Sequence, residues 1–342
     1  MPPRVSAIPV FLSAFKTKHR GSSVDFSLDK PGRVLLVKQA ERLGNVFLMN
    51  SAISGLAEKY PNLKIDLLLP APYAEVMKAN SHINDIIPAL KKEYISKPWM
   101  FAALIRKLRL GRYDLAIDCS DVNSHSATGA AYALLSGARL TAGWKIMERK
   151  IFDIEIERYS DIIHATQMYQ RLFSGILGTP LEGQPYFDGF PSSNSDRKAV
   201  VGLNCGGRGT KRWPLKSFIE VGKQLSSQGI EVDFILGPEE NALRSGLENN
   251  LPKGCHLLQL LQLPALMKII NGYRAFISSD TGPMHLAWCL RVPTVAIFLD
   301  SELEKFKPLA PGSMAIDGQN GVEPGEIAKL AANIVKTGKV SA

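Results

Sequence analysis

At 342 residues the chain has the length of roughly two domains, ample for sizeable cores without staples or metals. A composition of 45% hydrophobic and 21% charged residues excludes a disordered or fibrous chain. The four cysteines (Cys119, Cys205, Cys255 and Cys289) form no CxxC pair, which argues against a disulfide framework or a thiolate metal site. Neither a secretion signal nor an apolar run near the eighteen or so residues of a spanning helix is visible, so the expected location is cytoplasmic.

Residues 1–31 carry early prolines and no clear period, and read as an N-terminal arm. From Gly32 the pattern is regular. A buried strand is expected at Arg33–Val37, then a loop through Asn45 and an amphipathic stretch from Val46 to Lys59. Strands follow at Lys64–Leu69, Asp85–Ile87 and Leu115–Asp118, with helices around Pro72–Asn80 and at Pro98–Leu110. Strands separated by single helices predict an α/β domain with a parallel sheet. Gly, Pro and Ser cluster between Gly178 and Lys198, the best linker candidate.

The same logic then restarts. Strands are expected at Ala199–Leu203, Glu231–Leu236, Ala275–Ser279 and Pro293–Phe298, and helices after Pro214, at Gly282–Leu290 and at Pro324–Lys336. The expected domains are 32–185 and 195–323, followed by a C-terminal helix and tail at 324–342.

The net charge of +9 is uneven. Seven basic residues between Lys91 and Arg112 face one acid, Glu93, and the first 31 residues carry five basic residues against two acids. Such patches suit anionic lipid headgroups, nucleic acid or a phosphorylated substrate, and equally a plain solvated helix face. No nucleic-acid recognition motif accompanies them, so no nucleic-acid partner is expected.

Two loops of the second half could bind an anion. Ser279-Asp280-Thr281-Gly282-Pro283-Met284-His285 follows a strand and opens a helix, where backbone N–H groups and the helix dipole attract negative charge. Thr281 is a natural N-cap and Gly282 permits close approach; a well-capped helix alone would look the same. Asn204-Cys205-Gly206-Gly207-Arg208-Gly209-Thr210-Lys211-Arg212 offers glycine backbone donors and two cations, but it is not a Walker loop. Both loops fall at carboxyl ends of strands, where open α/β sheets bind ligands, and together they favour a nucleotide or diphosphate. Glu239, just after the strand ending before Gly237, suits ribose hydroxyls or a solvated loop.

At this point the chain resembles the bacterial ADP-heptose:lipopolysaccharide heptosyltransferases, glycosyltransferase family 9. The resemblance lies in VLLVKQAERLGNVFLMNSAI, RYDLAIDCS, SGARLTAGW and HATQMYQRLFSGILG, then GGRGTKRWPLKSFIEV, FILGPEEN and SSDTGPMHLAWCLRVPTVAIF, in order over roughly residues 32–315. It implies a GT-B architecture, with two Rossmann-like domains facing across a central cleft. It also implies inverting transfer of heptose from ADP-heptose to a phosphorylated saccharide or lipid A-type glycolipid, with no metal or other cofactor. The acceptor would bind the N-terminal half, with peripheral contact on the cytoplasmic face of the inner membrane.

By position, the resemblance implies that Lys211 contacts the donor diphosphate or sugar and that Asp280 binds heptose hydroxyls. Gly206 and Gly207 belong to the donor loop, Thr281 and Gly282 would hold phosphate through backbone N–H groups, and His285 would support that turn. Glu239 would hold the ribose and Leu261 would lie beside adenine. Lys38, Lys91, Lys92 and Arg106 fall on the acceptor side. Two departures stand out. The family's catalytic Gly-Asp dipeptide is Gly44-Asn45 here, and a carboxamide cannot accept the acceptor's proton. The loop is also one residue longer than in some members, which shifts the register of Lys38. Glu41 could serve as base; Asn45 could position an acceptor activated otherwise; or the protein could be a degenerate nucleotide-sugar binder.

Overall fold

The computed structural model describes residues 32–39, 42–124, 126–148, 150–190 and 197–338. The expected N-terminal arm, Glu41 and the last four residues lie outside the described residues. The chain divides into two compact units, residues 1–161 with 166–185, and residues 162–165 with 186–342.

In the first unit β1 (Arg33–Val37), β2 (Lys64–Pro70), β3 (Ile83–Ala89), β4 (Leu115–Asp118), β5 (Leu140–Trp144) and β6 (Ile154–Ile156) form one sheet in the order β3-β2-β1-β4-β5-β6. Every pairing is parallel. Val34 to Val37 are fully buried, as expected of a central strand covered on both faces. Leu35 and Val37 pack with Leu104 and Leu108 of the helix Pro98–Leu110 and with Ala130 and Ala133 of the helix Ala127–Leu135. Strand β3 is longer than expected; its Pro88 is tolerated because β3 is an edge strand. The amphipathic stretch expected from Val46 is two helices, Leu43–Leu48 and Asn50–Lys59, parted at Met49.

The second unit repeats this topology with β7 (Lys198–Asn204), β8 (Glu231–Ile235), β9 (Cys255–Leu257), β10 (Tyr273–Ser279), β11 (Thr294–Phe298) and β12 (Met314–Asp317), ordered β12-β11-β10-β7-β8-β9. All its pairings are parallel too. The helix Pro324–Thr337 is part of this unit: Ile327, Ala328, Ala331 and Ile334 join Phe218, Val221 and Leu225 against Leu203, Val295 and Ile297. Within the stretch expected as a linker, the Gly183 carbonyl accepts from Gln170 Nε2 at 2.9 Å and the Gln184 carbonyl from Ser54 Oγ at 2.7 Å. Phe187 is fully buried, and its N–H donates to the Cys289 carbonyl at 3.0 Å.

In both sheets the order in which successive strands are added reverses at one strand pair, β1/β4 in the first and β7/β10 in the second. Parallel sheets of this kind bind ligands at the carboxyl ends of such a pair, where the connections diverge and leave a crevice.

Candidate active site

At the β7/β10 pair, Asn204 ends β7 and is buried. Its Nδ2 donates to Ser278 Oγ at 2.9 Å and to Thr281 Oγ1 at 3.0 Å, tying the two strand ends together. The Thr281 hydroxyl is therefore turned inward. It occupies the N-cap position of the helix Gly282–Cys289 in extended backbone, but no side chain caps that helix. The expected hydroxyl cap is not formed because Asn204 and Ser278 take it.

Asp280 sits in the turn between β10 and that helix, where its Oδ2 accepts from Lys211 Nζ at 2.8 Å. His285 Nε2 lies 3.6 Å from Asp280 Oδ1, while its Nδ1 accepts from Trp288 Nε1 at 3.3 Å. An accepting Nδ1 leaves the ring proton on Nε2, facing the carboxylate. Burial alone would raise the Asp280 carboxyl. The hydrogen bond from His285, with the hydrogen bond and charge of Lys211, outweighs it and holds the group well below the usual carboxylate range.

The glycine loop after β7 is more engaged than expected. Gly207 has φ +151°, and a Cβ there would lie 2.9 Å from Arg212 Cα, so the position requires glycine. Its N–H donates to buried Glu240 Oε1 at 3.3 Å, while its carbonyl accepts from Arg212 Nε at 2.7 Å. Gly207 thus braces the loop through Glu240, which as a buried carboxylate needs donors. Glu239 is exposed and receives both arms of the Arg208 guanidinium, at 2.8 and 2.5 Å. Leu261 lies half-buried between β9 and the helix Leu263–Asn271. Thr210 donates to Asp300 on the loop after β11.

At the β1/β4 pair, Lys38 follows β1 directly and is buried. Its Nζ donates to the Cys119 carbonyl at 2.8 Å and to Asp121 Oδ1 at 3.1 Å. Asn45, in the helix Leu43–Leu48, donates from Nδ2 to Asp121 Oδ2 at 2.7 Å. Tyr169, on the helix Ala165–Leu177, directs its hydroxyl at Asp121 Oδ1 (3.0 Å) and the Asn45 carbonyl (3.1 Å). Burial and then the Asp121 carboxylate push this phenol well above its ordinary pKa, so it stays a donor. The sequence-expected Lys38 and Asn45 therefore meet, through an aspartate that sequence reasoning missed. The signal was there in Asp118-Cys119-Ser120-Asp121, a second acid three residues past a strand end.

Asn204, Ser278, Glu240 and Tyr169 were missed as well; only Asn204, a polar residue closing an apolar strand, had a readable cue. Lys92 and Arg106 are exposed, as is Lys91, which with Lys92 follows edge strand β3; β2 separates that strand from β1. Lys97 pairs with Glu93 and Lys107 with Asp85, both at 3.1 Å, while Ile95 (91%) and Trp99 (66%) stand exposed among these charges. Among the described residues no group of three or more His, Cys, Asp or Glu side chains is arranged to hold a metal, and no helix is long and apolar enough to cross a membrane.

Comparison with known proteins fits this geometry. Residues 101–326 match the family model glycosyltransferase family 9 (heptosyltransferase). Lipopolysaccharide heptosyltransferase 1 of Pseudomonas aeruginosa is 27% identical over 326 residues, covering 89% of this chain and 87% of that protein. Lipopolysaccharide heptosyltransferase 2 of Escherichia coli K12 is 23% identical over 323 residues, covering 86% and 92%. Among solved structures, the E. coli heptosyltransferase WaaC with ADP superposes with a TM-score of 0.74 at 18% identity, covering 88% of this chain and 99% of that one. Its fold is the two-domain α/β GT-B fold expected from the sequence, and the chain belongs to glycosyltransferase family 9, the heptosyltransferases.

Proposed function

We propose that this protein transfers a heptose from ADP-heptose to a phosphorylated saccharide or glycolipid, with inversion and without a metal. The carrying observation is the Lys211–Asp280 pair at the uncapped start of the helix Gly282–Cys289. When the glycosidic bond breaks, the electron pair leaves on the diphosphate; Lys211 and the N–H groups of Thr281, Gly282 and Met284 offset that charge as it develops. Asp280, held ionised, suits sugar hydroxyls rather than phosphate, which it would repel. His285 orients Asp280. Glu239, fixed by Arg208, has lone pairs left for ribose hydroxyls, and Leu261 offers an apolar neighbour to adenine. The ADP in the solved E. coli relative supports an adenine nucleotide.

Thermal unfolding and product analysis with the full chain test this reading. ADP-heptose should raise Tm more than sugars on UDP or GDP, and turnover should release ADP with an inverted anomer. Protection by a UDP-sugar alone would contradict the donor. Protection by ADP-heptose with no transfer to any phosphorylated saccharide would favour the binding-only reading that Asn45 raises.

For the acceptor side, the exposed Lys91, Lys92 and Arg106 with Ile95 and Trp99 between them suit an anionic membrane carrying the glycolipid, at the cytoplasmic face of the inner membrane. Reversing the three charges should lower sedimentation with anionic vesicles, most at low salt. Equal sedimentation on neutral and anionic vesicles would mark a solvated face.

A further inference from the structure

The family's base is missing at Asn45, yet a carboxylate stands 2.7 Å from that side chain. We propose that Asp121 is the general base of the transfer reaction, the carboxylate standing on the loop after β4 rather than in the first helix after β1. This rests on the transferase reading above.

Three features support Asp121. Its side chain is 27% exposed, so a substrate hydroxyl can reach it, whereas Asp118 on the same strand end is fully enclosed and accepts from Ser120 Oγ at 2.8 Å. Its two oxygens are unequally used. A carboxylate offers about four lone-pair positions, two on each oxygen. Among the described residues Lys38 and Tyr169 both address Oδ1 and Asn45 alone addresses Oδ2, leaving one lone pair on Oδ2 for an acceptor hydroxyl. Lastly, the aspartate is fixed from three elements, by Lys38 after β1, Asn45 in the next helix and Tyr169 from the helix Ala165–Leu177. Such fixing is what a base needs to meet its proton in one geometry.

The position fits as well. Asp121 opens the tight turn at residues 121–124, its carbonyl accepting from the Ser124 N–H at 3.1 Å, at the carboxyl edge of the β1/β4 pair. The neighbouring Gln39, also buried, has neither amide atom hydrogen-bonded among the described residues, so this strand edge holds polar capacity that they do not satisfy.

In the step, the acceptor oxygen forms the new bond to the anomeric carbon as that carbon's bond to the diphosphate oxygen breaks. The acceptor's proton passes to Asp121 Oδ2, and the electron pair of the broken bond leaves on ADP. Asn45 then acts as a positioning residue, its N–H orienting Oδ2. An aspartate at both places would set two carboxylates at hydrogen-bond distance, where like charges resist joint ionisation. The Asn–Asp pairing removes that conflict.

The test is an exchange of the two side chains in the full-length protein, with kcat, KM and donor Kd measured. Asp121→Asn should lower kcat by about 10²–10⁴-fold, the usual weight of general-base assistance, with donor Kd unchanged. The double variant Asn45→Asp/Asp121→Asn should recover at least about tenfold of that loss, because it returns a carboxylate to the same pair. Wild-type kcat in Asp121→Asn overturns the proposal, as does a loss that the exchange leaves unrepaired, which would make Asp121 structural. Loss of turnover in Glu41→Gln with none in Asp121→Asn overturns it in favour of Glu41. If the wild-type chain itself transfers no sugar, the transferase reading fails instead, and the two failures are thus told apart.

Discussion

The two strand-pair edges carry the same two residue types in opposite states. In the first unit the lysine is buried and the aspartate reachable: the Lys38 side chain is 2% exposed and Asp121 27%. In the second unit Lys211 is 28% exposed and Asp280 9%. Both pairs close at hydrogen-bond distance, 3.1 and 2.8 Å. One topology, used twice, thus presents a carboxylate from one unit and a cation from the other. A presented carboxylate suits taking a proton, and a presented cation suits a diphosphate. Shared strand order positions a pair; local burial decides which member of it is the more open.

Opposite pH responses offer the largest test of this contrast. Burial raises the Asp118 carboxyl from 3.8 to about 7 against the opposing pull of the Ser120 hydrogen bond and Lys38. Between those values the folded first unit holds a proton that the unfolded chain lacks, so this unit loses stability as pH rises through that window. Burial lowers His164 in the second unit from 6.5 to about 4, despite its hydrogen bond to the Lys307 carbonyl at 2.9 Å. Here the unfolded chain binds the extra proton, so stability falls as pH drops from 6.5 towards 4, by up to about 3 kcal/mol. Hydrogen exchange resolved by unit and corrected for intrinsic rates should show slopes of opposite sign. Asp118→Asn should flatten the first and His164→Gln the second. Slopes of one sign in both units would mean that at least one of these buried groups does not govern its unit.

Much of the fold was legible because central parallel strands are continuous apolar runs. Arg33–Val37, Leu115–Asp118 and Thr294–Phe298 announce themselves in this way. The strands that were missed are edge or near-edge elements with little burial pattern to read, such as Ile154–Ile156, Cys255–Leu257 and Met314–Asp317. Leu140–Trp144 hides behind its Thr and Gly. The helix Ala127–Leu135 is rich in alanine, with no polar face to set a period.

The candidate site divides along a similar line. Lys211 and Asp280 flank recognisable strand ends, so local reading found both. Asp121 partners a residue 76 positions away, inside a stretch that reads as plain loop, and no local pattern reports such a contact. Glu240 was passed over for its neighbour Glu239 because burial, not residue type, separates the two.

The smaller effect is also the more direct test, since it addresses the claim that the second unit's exposed cation meets the donor. ADP-heptose should be titrated calorimetrically into the wild-type chain and into Lys211→Ala. A charge-assisted contact is worth about 1–3 kcal/mol, so the variant's Kd should rise by roughly 5–150-fold. An unchanged Kd would contradict the account and remove Lys211 from the donor site.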